Sequence, residues 1–144
     1  MSVNTGSAVA SSIVVAAAVV AGLYLGGTPG EQRLVRFDLR RVSDLQSLSS
    51  AIDRRWESFE QLPATLDELV DGVLLKRMPL DPETGAPYVY EPIADNSYRL
   101  CATFSRATVD PRPGDFWVHE PGYRCFDFTL VASEPEPGPS ETAR

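Results

Sequence analysis

The chain has 144 residues and a formal net charge of -7, room for one folded domain with short extensions. The acidic balance argues against nucleic acid as a partner, because phosphate binding needs a basic stripe and none is present. No Asp, Glu, Lys or Arg occurs from Met1 through Gly30, so all side-chain charge lies beyond that point.

Residues 1–7 read as a short polar flank. Residues 8–27 are predicted to form a transmembrane helix. Within them, Ala8 to Gly26 is 19 uncharged residues (AVASSIVVAAAVVAGLYLG), about 28 Å as a helix against a hydrocarbon core of roughly 30 Å. A buried soluble helix is the plainer alternative, but such helices rarely stay apolar all round for this length. A cleavable signal peptide is the closer rival. It needs a basic start and a shorter apolar core, and Met1–Ser7 has no Lys or Arg. The expectation is therefore an uncleaved, single-pass anchor.

Thr28-Pro29-Gly30 should break this helix. A long amphipathic helix is predicted from Glu31 to Phe59, with an apolar stripe through Val42, Leu45, Leu48, Ile52, Trp56 and Phe59. Arg40, Arg41, Asp44, Asp53, Arg54 and Glu57 fall mostly off the stripe and read as a solvated face. Leu62-Pro63 ends the helix. Thr65 to Glu68 has the form of a capping box in front of a short helix that Gly72 closes.

Strands and turns follow. Asp81 to Gly85 (DPETG) is a turn, since Pro fixes one φ and Gly permits a positive one. Strands are expected at Pro87–Glu91, Ser97–Phe104, Phe116–His119 and Tyr123–Val131. Alternation puts Tyr98, Leu100, Ala102 and Phe104 on one face of the second strand, and Phe126, Phe128 and Leu130 on one face of the last. Residues 133–144 (SEPEPGPSETAR) are Pro- and Glu-rich and are predicted to be disordered. Residues 31–132 then form an α+β domain, a long helix covering a small antiparallel sheet. Its expected packing residues are Trp56, Tyr98, Leu100, Phe104, Phe126 and Phe128.

Cys101 and Cys125 are the only cysteines. Alternation sends both to the side of the sheet away from the apolar faces, so neighbouring strands would bring them within bridging range. A disulfide there implies an oxidising compartment, periplasmic or extracellular, for the domain. Two unpaired thiols in a cytoplasmic domain is the competing reading. Arg33, Arg36, Arg40 and Arg41 favour it, because basic residues after an anchor tend to stay cytoplasmic.

His119 is the sole histidine. No nucleophile pairs with it in sequence, and its place beside Glu120-Pro121-Gly122 suits an exposed or structural residue, so no catalytic residue is assigned. Asp110 and Asp115 are loop oxygen ligands of the type calcium takes. They lie in no compact acidic motif, so they are only weak metal candidates and no cofactor is assigned.

The order of features resembles the C-terminal domains of type II secretion major pseudopilins and type IV pilin-like proteins. The resemblance covers roughly Glu31 to Phe104. It is carried by Leu62-Pro63-Ala64-Thr65-Leu66-Asp67-Glu68-Leu69 and by Asp81-Pro82 with Gly85-Ala86-Pro87-Tyr88-Val89-Tyr90. Glu83 and Thr84 stand where the family's pattern has a Trp, and Gly6-Ser7 is not followed by the family's aromatic-plus-Glu start. Ser97 to Phe104 with Trp117, His119 and Cys125-Phe126 (YRLCATF, WVH and GYRCF) is also similar to uncharacterised bacterial membrane proteins with pilin-like tails. The resemblance implies a pilin-like fold and a non-enzymatic, membrane-anchored domain that binds or scaffolds other envelope proteins. The alternative is a small envelope enzyme or metal-dependent binding module using His119 and the loop aspartates.

Overall fold

The computed structural model describes residues 5–26 and 28–131, with side chains from 9–22 and 28–131. Residues 1–4 of the flank and the tail at 133–144 lie outside them. Two compact units divide at Arg36 and Phe37, inside the second helix.

In the first unit, α1 runs from Thr5 to Gly26. Its described apolar side chains, among them Val9, Ile13, Val14, Val15, Val19 and Val20, are exposed. Among the described residues no helix is long and apolar enough to cross a membrane, so the predicted transmembrane span is not established. α2, Pro29–Phe59, begins two residues ahead of the expected start. The reason is a reciprocal cap. The Glu31 N–H donates to Thr28 Oγ1 (3.3 Å), and the Thr28 N–H donates to Glu31 Oε2 (3.0 Å). Pro29 sits at the first helical position, where no N–H is needed.

The capping box expected at Thr65 is absent. Leu66–Leu69 is a 3₁₀ turn without a side-chain cap from Thr65. Glu68 instead accepts from the N–H of Ala64 (3.2 Å) and pairs with Arg55 (2.7 Å), which ties this turn to α2.

The second unit is α+β. Three strands, β1 (Val89–Ala94), β2 (Ser97–Phe104) and β3 (Gly122–Thr129), form an antiparallel sheet with β2 in the middle. Pro87 stays outside β1, in an isolated bridge to Leu80. The expected strand at Phe116–His119 is not one. Its backbone turns where the Trp117 N–H caps on Asp115 Oδ1 (3.1 Å).

Leu45, Leu48, Ala51 and Ile52 of α2 pack with Leu66, Leu69, Tyr88, Tyr98, Leu100, Ala102, Phe104 and Phe126 in one core. Each enclosed Leu or Ile contributes about 1.5–3 kcal/mol. Phe128 is half-buried and stacks on Tyr98 with ring centroids 4.8 Å apart.

The α2 stripe leaves the core after Ile52. Phe59 is exposed, and Trp56 is half-buried and not part of the core cluster. Its indole N–H is buried without a hydrogen-bond partner. Trp56→Ala should therefore cost under about 2 kcal/mol in urea unfolding, below the 3–5 of a fully packed Trp. A loss of 4 kcal/mol would return Trp56 to the core.

Candidate functional site

The most elaborate polar assembly is centred on Arg41. The sequence pattern assigned it to a solvated face, yet its side chain is 2% exposed. One signal was present: Asp38 and Arg41 extend the steps of three and four that run through Leu45, Leu48 and Ile52. The guanidinium uses all five of its N–H donors. Nε and Nη2 grip Asp81 as a fork, and Nη2 also reaches Glu83 (2.8 Å). Nη1 donates to Asp38 Oδ1 (2.8 Å) and Ser105 Oγ (3.0 Å). Such bidentate, charge-assisted bonds are the strong kind.

The carboxylates are themselves satisfied. Asp81 Oδ1 accepts from the backbone N–H groups of Glu83 and Thr84 (both 2.9 Å), and Gly85 closes the turn with φ of 72°. Asp38 accepts from the N–H groups of Ser105 (2.9 Å) and Arg106 (2.8 Å). One guanidinium thus joins α2, the 81–85 turn and the end of β2. Burial works against the charge on Arg41, but Asp81, Glu83 and Asp38 outweigh it and its pKa is raised. Burial also opposes ionisation of Asp81, yet Arg41 and the two turn N–H groups hold its pKa down to about 2.

Asp44, expected on the solvated face, is buried as well. It accepts from the Tyr88 hydroxyl (3.0 Å) and pairs with Arg40 (3.1 Å). Burial and the Asp44 charge push the Tyr88 pKa up. Beside the Arg41 assembly lies a cavity of about 360 Å³ whose lining includes Glu83, Thr84, Val89, Thr103 and Tyr123.

His119 is buried, with its ring stacked on Phe104. Its Nδ1 lies 2.9 Å from the Trp117 carbonyl and 3.0 Å from Thr108 Oγ1. The Thr108 N–H donates to the His119 carbonyl (2.9 Å), and the His119 N–H donates back to Thr108 Oγ1 (2.8 Å). This closes the loop between β2 and β3, and Nε2 is buried without a hydrogen-bond partner. Asp110, at φ of 54°, and Asp115 are both exposed. Among the described residues no group of three or more His, Cys, Asp or Glu could hold a metal ion. The weak candidates Asp110 and Asp115 are not brought together with His119 into a ligand set.

Cys101 and Cys125 form a disulfide, as alternation predicted. They face each other across β2 and β3 in register, on the side of the sheet away from the core, with Cα atoms 4.0 Å apart. On the same face Arg99 bridges Glu91 of β1 (3.9 Å) and Asp127 of β3, a charged row next to the disulfide. These surface pairs contribute about 0–1 kcal/mol each.

Fold and site together define a disulfide-clamped α+β domain that follows an apolar helix. Comparison with family models, curated proteins and solved structures found no match.

Proposed function

We propose that this chain is a non-enzymatic, membrane-anchored, pilin-like domain that binds or scaffolds other proteins of a bacterial envelope. The observation that carries the reading is α1. It is a 22-residue helix without a charge, about 33 Å long, and its described Val and Ile side chains are more than half exposed. We infer that a bilayer is what covers this exposed apolar surface.

The disulfide supports placing the domain in the periplasm or outside the cell. The pilin-like reading is supported by the order of long helix, 81–85 turn and antiparallel sheet, and by the Arg41 assembly that fastens that turn to the helix. Absence of chemistry is the natural use of such a site, because the buried charges are consumed by internal partners. No specific observation favours the alternative built on His119 and the loop aspartates.

The test is to charge α1. Val15→Asp with Val19→Asp should cost roughly 3 kcal/mol each for insertion. The wild-type chain is expected in the membrane pellet after a carbonate wash and the double variant in the supernatant. Equal behaviour of the two would sink the anchor.

A further inference from the structure

We propose that the outer edge of β3, which no strand among the described residues covers, pairs antiparallel with the same edge of a second copy of this chain. Cys101 and Cys125 have Cα atoms 4.0 Å apart, the close spacing of a pair that exchanges no backbone hydrogen bonds. In the same register the Leu130 N–H donates to the Asn96 carbonyl (2.8 Å). Even-numbered residues of β3 therefore bond to β2. The N–H and C=O groups of Tyr123, Cys125 and Asp127 point away from the sheet.

The two edges of the sheet are treated differently. On β1 the outward positions are Tyr90 and Pro92. Pro92 has no N–H to offer, and a register shift follows it before Ala94. These are the usual devices that stop an edge from recruiting a strand. β3 has neither. Its eight residues pair with β2 without a break in register, and it contains no Pro and no Lys. The disulfide holds it in the extended form, which lowers the ordering cost of adding a strand.

The chain's own C-terminal segment is a poor occupant. Pro135, Pro137 and Pro139 deprive it of a continuous row of N–H donors. A second β3 fits by charge. Two-fold pairing centred on Arg124 or Asp127 would oppose like charges. Centring on Phe126 instead sets Arg124 opposite the half-buried Phe128 of the second copy, within reach of a cation–π contact. A single strand edge is small beside the roughly 1,200–2,000 Å² of a stable specific interface, so the pairing depends on concentration.

The inference goes beyond the anchoring proposal and does not depend on it. It is tested by amide hydrogen exchange on the full chain in detergent solution, at low and high protein concentration. The amides of Tyr123, Cys125 and Asp127 should exchange fast when dilute and slow by about tenfold or more when concentrated. Those of Arg124, Phe126 and Phe128 should be protected throughout. Tyr123→Pro removes one outward N–H and no β2–β3 bond. It should abolish the concentration effect at Cys125 and Asp127, with the even-numbered amides reporting that β3 is still folded. Fast exchange of the three outward amides at every concentration would overturn the proposal. So would protection that appears only on adding an unrelated extended peptide, or an unchanged concentration effect in Tyr123→Pro.

Discussion

Arg41→Ala is expected to destabilise the α+β domain by about 3–5 kcal/mol. That is the range for breaking a buried ion pair from one side. The variant leaves Asp38, Asp81 and Glu83 facing one another with no cation between them. It also frees the 81–85 turn from α2. Against a total of 5–15 kcal/mol for a small domain, this is a large share. Arg41→Lys should recover only part of it, because an ammonium cannot reproduce the fork to Asp81.

The same assembly sets an acid limit. The folded-state pKa of Asp81 is about 2, below its ordinary 3.8. A depressed carboxylate stabilises the fold fully above the unfolded value and loses that contribution as pH falls through the folded value. The window is therefore about pH 4 down to pH 2, and the contribution is about 2 kcal/mol. Asp81 is 11% exposed, so solvent screening takes little from it. Urea unfolding between pH 2 and 6 should show this loss in the wild type and a smaller one in Arg41→Ala, where only the two turn N–H groups still hold the Asp81 carboxylate. Equal acid sensitivity in both would separate Asp81 from Arg41.

Reducing the Cys101–Cys125 disulfide should cost about 3 kcal/mol. The bridge spans 24 positions in sequence, and the chain-entropy model assigns a loop of that length roughly this value. The melting temperature should fall by roughly 10–20 °C. Calorimetry with and without reductant measures it. A Cys101→Ala, Cys125→Ala variant should melt low in both conditions. A reduced wild type that melts where the oxidised protein does would show that the β2–β3 pairing alone restrains the Ser105–Pro121 connection.

The disulfide was legible in the sequence because a strand has a period of two. Tyr98, Leu100 and Phe104 set the core face of β2, and Phe126 sets that of β3, which leaves Cys101 and Cys125 together on the other. The Arg41 assembly was not legible as a whole. Asp38 and Arg41 follow the helix period, but their partners Asp81, Glu83 and Ser105 are 40 or more residues away. A charged residue on a helix also reads by default as solvated. The turn at Trp117 was missed because Phe116 to His119 has strand-like composition, while Asp115 and Thr108 supply caps that composition does not reveal.

Under the proposed function, an oxidised domain is held to a membrane by α1. Thiol labelling of carbonate-washed membranes, prepared from intact cells with free thiols trapped at lysis, tests it in one step. Full-length chain is expected in the washed pellet, with neither Cys101 nor Cys125 labelled until reductant is added. Full-length chain in the supernatant, or two freely labelled thiols, would contradict it.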